Sequence, residues 1–419
     1  MCPKSHNSLT WTSQPVLPNG VMDGNFKICA AVVMSGNNYS KVALMAKFMR
    51  LGFPSASMFD RIQGQYIIPE VDRYWLTIKQ STQEELRATS IVVAGDGRMD
   101  SPGHSAKYCT YTVMNQTDKK IVSMEVTDKR EVQLKSGQLE VRGFRKTMND
   151  IKDAGIEVKE IVTDAHPQIS SIMRRDFPDI RHSWDMWHGA KNLGKKLHAM
   201  KFVSVMNHSL NVHRWALGGC DHEEIDQTVE RAKEWLDPDG SSIIALEKII
   251  MDHRFQSNLG HYVTCQTTSE IESFNNHLLM YVSKRHAFTY ASYKCRCQLA
   301  AIDYMHHLNR PLRKNKKGEF YYCRTFSKAA NHWGFKYVKV PKDYSYIPEM
   351  MIAILSAYCK SFKERPLSNK RLRAPDDPSL IAPTIAPEAP PPTKQLVEKK
   401  QSRLKRESWP KPEEQLIED

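Results

Sequence analysis

The sequence lacks CxxC cysteine pairs, a long apolar run and an excess of negative charge. Its nine cysteines are odd in number and scattered, and no two form a CxxC pair. Neither a disulfide framework nor a zinc ribbon is therefore indicated, and a reducing compartment fits this usage. The cysteines are Cys2, Cys29, Cys109, Cys220, Cys265, Cys295, Cys297, Cys323 and Cys359.

Segments for secretion or membrane insertion are also missing from the sequence. The first residues, MCPKSHNSLTW, contain no apolar core of a signal peptide. The longest apolar run, ICAAVVM at residues 28–34, is far shorter than the roughly 20 residues that cross a bilayer. We therefore expect neither secretion nor a membrane partner.

Positive charge is abundant. Lys and Arg total 60 against 47 Asp and Glu, which gives a formal net charge of +13. Polyanions are the natural partners of such a surface, and nucleic acid is the first candidate. At 419 residues the chain is long enough for two or three domains.

The spacing of apolar residues predicts an α/β core. YSKVALMAKFMRLG, near the N-terminus, has helical spacing and a glycine, Gly52, at the expected C-cap. From Ile91 onward, IVVAG, KYCTYTVMN and IVSMEVTDK predict three strands in an antiparallel meander. A helix, a strand, a helix and a strand follow, which together predict a mixed sheet. A later helix, at residues 269–290, returns to this sheet.

These patterns divide the chain into six segments. We predict a mainly helical leader (1–90), the first part of the core (91–200), an all-helical insertion (201–265), the last core helices (266–310), a basic C-terminal extension (311–367) and a disordered tail rich in proline and charge (368–419).

Three acidic residues occupy positions suited to a catalytic site. Asp96 follows the run IVVAG and lies between two glycines. Asp164 also directly follows a strand-like run, EIVT. A carboxylate at the end of a packed strand can project into a cleft, and flanking glycines let a ligand or metal approach closely. With Glu272 from the later helix, the oxygens would suit Mg²⁺ or Mn²⁺. Two such ions, roughly 3.5–4 Å apart, serve phosphodiester chemistry.

Each of these carboxylates also has a plainer explanation. Asp96 could shape a Gly-Asp-Gly turn, Asp164 could cap the helix that begins near Pro167, and Glu272 could be a solvated helix residue. The shared order (first strand, fourth strand, later helix) favours the functional interpretation of the three together.

Three blocks of the sequence closely resemble those of Kolobok-type DNA transposases, a cut-and-paste superfamily. The likeness continues in the leader and covers roughly residues 11–310. The blocks are GDGRMDSPGHSAKYCTYTVMN, VTDAHPQISSIMRRDFPDIRHSWDMWHGAKNL and IESFNNHLLMYVSKRHAFTYASYKCRCQLAAIDY, with WTSQP, GNFKICAAVVMSG and MFDRIQGQYIIP in the leader.

The resemblance implies an RNase H-like mixed five-stranded sheet, flanked by helices and interrupted by the helical insertion. It places the acidic triad of the family on Asp96, Asp164 and Glu272, which would hold two Mg²⁺ or Mn²⁺ ions for DNA strand cleavage and transfer. The family is associated with TTAA target sites. Basic clusters in the tail, NKRLR and EKKQSRLKR, resemble nuclear localisation signals, so we expect a nuclear protein that binds DNA and could form a homo-oligomer.

Several further residues have both a functional and a structural interpretation. His188, Lys191, Lys284 and Arg285 could contact DNA phosphates, or belong to solvated surfaces. Trp184 and Trp187 could stack on an unpaired base, although core packing is favoured. Asp100 could assist a metal site but fits a turn better. Asp185 falls on the predicted fifth strand. His166 could orient a water or ligand, or lie in a surface turn.

A structural zinc site could draw on Cys220, His222, His208, His213, His253, His261 and Cys265, but their spacing matches no standard zinc pattern.

The sequence thus leads to a metal-dependent DNA transposase-like enzyme, with two alternatives. Family members usually begin with a THAP-type zinc finger, whose Cys-Cys-Cys-His set the first 90 residues do not supply, and the stretch between WHGAKNLGKKL and WALGGCDH is shorter than in the family. The first alternative is therefore a domesticated, non-catalytic DNA-binding or regulatory protein. The second is a degenerate gene product without a folded role.

Overall fold

The computed structural model describes residues 11–102, 105–186, 252–328, 331–364 and 391–404, with some positions between 210 and 248. Within these ranges, every helix is too short or too polar to span a lipid bilayer.

Helices form the leader, as predicted. The side chain of Asn38 caps α2 by accepting hydrogen bonds from the Ser40 and Lys41 amides, at 2.9 and 3.4 Å. Helix α2 ends before Gly52, and Arg50 takes the left-handed conformation (φ 55°), so the predicted glycine cap is wrong. The leader helices are α1 (Asp23–Met34), α2 (Tyr39–Phe48), α3 (Ala56–Ile62) and α4 (Ile68–Leu86), with a π-helical turn at Gln63–Ile67.

A mixed five-stranded sheet follows the leader, and its strand order is β3-β2-β1-β4-β5. The first three strands form the antiparallel meander, whereas β4 and β5 run parallel to β1. The predicted mixed sheet is confirmed. Its elements are β1 (Ile91–Met99), β2 (Tyr108–Asn115), β3 (Ile121–Asp128), α5 (Leu139–Asp153), β4 (Val158–Thr163), α6 (Pro167–Asp176) and β5 (Arg181–Trp184).

Helices cover both faces of the sheet. On one face Val93 and Tyr111 pack with Phe144 of α5 and with residues of α6. On the other, Ala94 and Met114 join a larger core that includes residues of the leader and of the later helices. Alternate residues of each strand enter opposite cores because side chains alternate across a sheet. A sheet buried on both sides holds its strand ends rigidly.

The later elements depart from the predictions in two places. Within the segment predicted to be all helical, Arg214–Trp215 (β6) pairs antiparallel with Gly218–Gly219 (β7). The helix predicted at residues 269–290 ends at Leu278. The remaining elements are α7 (His253–Leu259), α8 (Ser269–Leu278), α9 (Tyr290–His307), β8 (Tyr322–Ser327), β9 (His332–Tyr337), α10 (Tyr346–Glu364) and α11 (Thr393–Leu404).

Two buried arginines explain why α8 stops early. Arg98 donates to the carbonyl oxygen of Val282 at 3.1 Å, and Arg296 donates to that of Tyr281 at 3.3 Å. These carbonyl groups lie just beyond the helix and are satisfied by arginines from β1 and α9, so the chain can leave the helix without burying unpaired acceptors. Helix α9 then begins at Tyr290, where the Thr289 side chain caps it.

The C-terminal extension contributes to the main core. Helix α10 packs on the leader through Tyr346, Met350, Ile354 and Tyr358, all of which are buried. Of the segment predicted to be a disordered tail, residues 391–404 are described and include α11. The rest of that segment lies outside the described residues.

Candidate active site

Asp96 and Asp164 lie at the same edge of the sheet. In the parallel pair of β1 and β4, Ala94 is opposite Val162, and each aspartate follows two residues later in its own strand direction. The prediction that Asp96 ends its strand is wrong. Strand β1 continues to Met99 because its hairpin with β2 extends past the last residue paired with β4. Asp96 therefore lies where β1 leaves β4.

The Asp96 carboxylate is held on both oxygens. Oδ1 accepts a hydrogen bond from the Gly97 amide at 2.7 Å, and Oδ2 accepts one from Nδ2 of Asn275 at 2.8 Å. Asp96 also pairs with Thr112 in the strand ladder, so it does not form the Gly-Asp-Gly turn. Its half-buried side chain is oriented by backbone and by α8.

Asp164 follows β4 directly and is half-buried. The N-cap of α6 is His166, whose side chain makes no capping hydrogen bond. The interpretation of Asp164 as the helix cap is therefore wrong. The Asp164 carbonyl oxygen accepts hydrogen bonds from the His166 amide at 2.7 Å and from the Thr163 hydroxyl at 2.9 Å. These contacts fix the backbone that carries the carboxylate.

Glu272 lies in the first turn of α8 and is half-buried, whereas Glu270 in the same turn is exposed. Residues three apart on a helix share a face, so Glu272 lies on the side of α8 that carries Asn275. Asn275 is the residue that binds Asp96. Glu272 thus shares a face of α8 with Asn275, and its role as the third carboxylate stays a prediction.

Glu140 is a fourth acidic residue at this edge, and sequence reasoning missed it. It lies in the first turn of α5. Burial, followed by repulsion from Asp96 and Asp164, raises its pKa to about 7. In the sequence it is only an acidic residue at a helix start, which is a common arrangement. Its position beside Asp96 depends on how α5 packs across β1.

The two glycines around Asp96 make room for protein side chains. A Cβ atom at Gly97 would lie 2.6 Å from Cγ of Glu140, and one at Gly95 would lie 2.9 Å from the hydroxyl of Tyr111. Tyr111 is fully buried, and its pKa is raised well above the usual value by burial and by Glu140 and Asp96. The glycines therefore allow Tyr111 and Glu140 to pack against the carboxylate edge, a different role from the predicted approach of a ligand.

Asp185 supports the site through α8. It lies one residue beyond β5, slightly past the strand on which it was predicted, and it is buried. Its amide donates to the Thr163 carbonyl oxygen at 2.9 Å. Its carboxylate accepts hydrogen bonds from both the amide and the hydroxyl of Thr268, the residue that precedes α8. Asp185 therefore fixes the start of α8 against β4.

The remaining candidates divide between turn, packing and surface roles. Asp100 accepts hydrogen bonds from the amides of Lys107 and Tyr108, at 2.9 and 3.2 Å, so the turn interpretation is confirmed. Trp184 stacks on His261 at 4.1 Å, in agreement with the packing interpretation. Lys284 and Arg285 are exposed in the turn after α8, and His166 is half-buried. Trp187, His188 and Lys191 lie outside the described residues.

A metal site is not preformed among the described side chains. Among the residues that the structure describes, no group of three or more His, Cys, Asp or Glu is placed to hold an ion, and this includes the described zinc candidates. Cys220, His222 and His208 lie outside those residues. Carboxylate oxygens are nevertheless the ligands that a hard divalent cation prefers. Repulsion from Asp96 and Asp164 contributes to the raised pKa of Glu140, and a bound cation would relieve that repulsion. The side chains would need to turn towards a common point.

Similarity to known proteins is limited. No family model matches the chain, and no curated protein matches it. Seven chains of solved structures match. One is the HTLV-2 integrase catalytic core domain in complex with magnesium, in a dimeric form, at 16% identity and a TM-score of 0.16, covering 29% of this chain and 72% of that one. This likeness adds nothing to what the strand order establishes.

The strand order and directions define the class of fold. An antiparallel meander continues into two parallel strands on the other side of β1, and helices cover both faces. Two aspartates lie at the edge where β1 and β4 separate. This is an RNase H-like α/β core.

Proposed function

We propose that the chain is a DNA transposase-like enzyme of the Kolobok type, which cleaves phosphodiester bonds and transfers DNA strands through Asp96, Asp164 and Glu272. The observation that carries the proposal is the shared position of the two aspartates at one edge of a rigid sheet, together with the hydrogen bond from Asn275 of α8 to Asp96. Asn275 brings the helix face of Glu272 to that same edge.

Mg²⁺ or Mn²⁺ is the cofactor in this proposal, with two ions held by the three carboxylates. When bound, such ions activate the attacking oxygen and stabilise the departing one. The protein's own contribution is orientation. The Gly97 amide and Asn275 aim the Asp96 carboxylate, while Asp185 holds Thr268 and thereby the start of α8. Carboxylates already held by hydrogen bonds lose little conformational entropy when a cation binds.

DNA is the proposed polyanion, and the nucleus is the proposed location. The net charge of +13 favours a nucleic-acid partner, and Lys284 and Arg285 are exposed directly after the helix that carries Glu272. We place the phosphate contacts on these two residues and on His188 and Lys191. A homo-oligomer is part of the proposal, because a transposase must handle two DNA ends.

Nicking of supercoiled plasmid DNA tests the proposal. We expect the full-length protein to nick the plasmid when Mn²⁺ or Mg²⁺ is present, and Asp96→Ala to remove the activity. Asp179→Ala, a change at an exposed turn aspartate, serves as the matched control and keeps it. Equal nicking by the wild type and Asp96→Ala would show that the activity comes from elsewhere.

A second candidate is a non-catalytic DNA-binding protein derived from a transposase. It is favoured by the finding that the described carboxylates form no group placed to hold a metal ion. This candidate predicts salt-dependent DNA binding that Asp96→Ala leaves unchanged, with no cleavage in any divalent metal. Failure to bind DNA at moderate salt would exclude it.

A further inference from the structure

The hairpin of β8 and β9 carries an exposed aromatic face. Residues opposite each other in an antiparallel pair point to the same side of the sheet. The pairs Tyr322 with Tyr337, Arg324 with Phe335, and Phe326 with Trp333 therefore share one side. We call this side the aromatic face; it consists of Tyr322, Arg324, Phe326, Trp333, Phe335 and Tyr337.

A contiguous patch of exposed apolar rings often marks an interaction site. Trp333 is 69% exposed and Phe335 is 63% exposed. The rings contact one another edge to face, as in Tyr322 with Phe335 at 5.2 Å and Phe326 with Trp333 at 5.4 Å. Such contacts keep the rings in place while leaving ring surface open to a ligand.

Positive charge surrounds the aromatic face. Arg313 lies over the ring of Tyr321 and Lys314 over that of Phe320, both at 4.7 Å from the ring centre. Between positions 310 and 342 the sequence has one carboxylate, that of Glu319, and Asp343 follows directly. The basic residues between positions 310 and 342 are Arg310, Arg313, Lys314, Lys316, Lys317, Arg324, Lys328, Lys336, Lys339 and Lys342.

We propose that this hairpin is a binding site for single-stranded nucleic acid. The rings of the aromatic face stack on unpaired bases, while Arg324 and the flanking cations hold the phosphates. A duplex keeps its base faces stacked inside, so it offers these rings little to stack on. A second copy of the chain would bring two positive surfaces together, and protein interfaces are depleted in lysine. Exposed rings interleaved with cations match a single strand best.

The inference rests on the proposed function only for the choice of DNA as the nucleic acid. Strand cleavage during transposition exposes unpaired nucleotides, which the hairpin would hold. The hairpin residues are distinct from the carboxylates at the sheet edge, so binding and cleavage can be tested separately.

Fluorescence anisotropy with the full-length protein tests the site. The probe is a fluorescein-labelled oligothymidylate of about 20 nucleotides, long enough for several stacked bases. The same strand annealed to oligoadenylate provides the duplex. We expect tighter binding of the single strand, weakened roughly 5- to 100-fold by Trp333→Ala and largely restored by Trp333→Phe, which keeps a ring. Trp11→Ala removes another exposed tryptophan and is the matched control.

Other outcomes decide the matter as well. Unchanged oligothymidylate binding by a folded Trp333→Ala protein would overturn the proposal, as would an equal loss of duplex binding in that variant. Loss of self-association by Trp333→Ala in sedimentation velocity, without loss of oligonucleotide binding, would instead assign the face to a second copy. If Trp333→Ala does not fold, Arg324→Glu must weaken binding while Lys41→Glu does not. Binding is measured in EDTA, where the proposed metal-dependent cleavage does not occur, so a failure of cleavage cannot be mistaken for a failure of this site.

Discussion

At the scale of single residues, Glu140 shows most clearly what the site does to a side chain. It is half-buried against β1, and two other carboxylates raise its pKa further. Between about pH 4.5 and about 7, the folded protein therefore keeps a proton on Glu140. The unfolded chain has released this proton, because an ordinary glutamate has a pKa near 4.3. Ionising Glu140 in the folded state costs stability.

The sign of the pH effect follows from this proton. As pH rises from about 4.5 to about 7, the folded state binds more protons than the unfolded state, so stability falls. In metal-free protein Glu140→Gln removes that loss, and we expect the variant to gain about 1–3 kcal/mol over the wild type between pH 5 and pH 8. Urea unfolding in EDTA at the two pH values measures the gain. Glu84→Gln, an exposed change on α4, must show none.

At the scale of elements, the packing of α5 on the sheet sets the position of Glu140. Gly143, one turn after Glu140, lies against the fully buried Tyr111, and a Cβ atom there would be 2.8 Å from Cβ of Tyr111. The Cβ of Tyr111 belongs to a strand in the middle of the sheet and cannot easily yield. The close approach of α5 to β2 therefore requires glycine.

We expect Gly143→Ala to destabilise the protein although alanine is the better helix former. The helix gains about 1 kcal/mol, but overpacking against a rigid strand costs about 1–3 kcal/mol. Gly64→Ala is the matched control, because a Cβ atom at Gly64 would meet nothing within 4 Å. Thermal unfolding should give a lower Tm for Gly143→Ala and an unchanged or higher one for Gly64→Ala. A rise in Tm for Gly143→Ala would refute the packing argument.

Sequence patterns predicted which helices and strands form more accurately than they predicted the contacts between them. Short β-branched or alternating apolar runs predicted the strands, and such runs occur here because both faces of the sheet are covered. The same pattern also pointed to Asp96 and Asp164, which lie at one edge of the sheet, although β1 continues past Asp96. The early end of α8 could not be predicted, since it depends on Arg98 and Arg296 reaching carbonyl groups far along the chain. Glu140 was missed for the same reason: its importance comes from packing across the sheet.

At the scale of the whole molecule, Asp303 joins the later helices and the extension. It is fully buried on α9 and lies 2.9 Å from Nε2 of His277 on α8. It also accepts hydrogen bonds from Lys342 at 2.6 Å and from the Tyr346 hydroxyl of α10 at 3.3 Å. One carboxylate thus connects the helix that bears Glu272 with the helix that packs on the leader.

Removing the charge of Asp303 should loosen this connection. Burial raises the pKa of Asp303, but the interactions with nearby His277 and with Lys342 outweigh it, so the pKa lies below the usual value. The stabilisation is therefore complete above the ordinary aspartate pKa of about 3.9 and is lost as pH falls through the lower folded value. We expect Asp303→Asn to cost about 3 kcal/mol at pH 7, because Lys342 loses its partner. Guanidinium unfolding measures this, and Asp179→Asn must cost little.

The comparison of two neighbouring glutamates tests the central claim most directly. Glu270 and Glu272 share the first turn of α8, but only Glu272 is half-buried on the side that carries Asn275. Mn²⁺-dependent nicking of supercoiled plasmid is measured for Glu272→Gln and Glu270→Gln in parallel. We predict that Glu272→Gln slows nicking by about 10³-fold and that Glu270→Gln matches the wild type. Equal nicking by both variants would contradict the assignment of Glu272 to one site with Asp96 and Asp164.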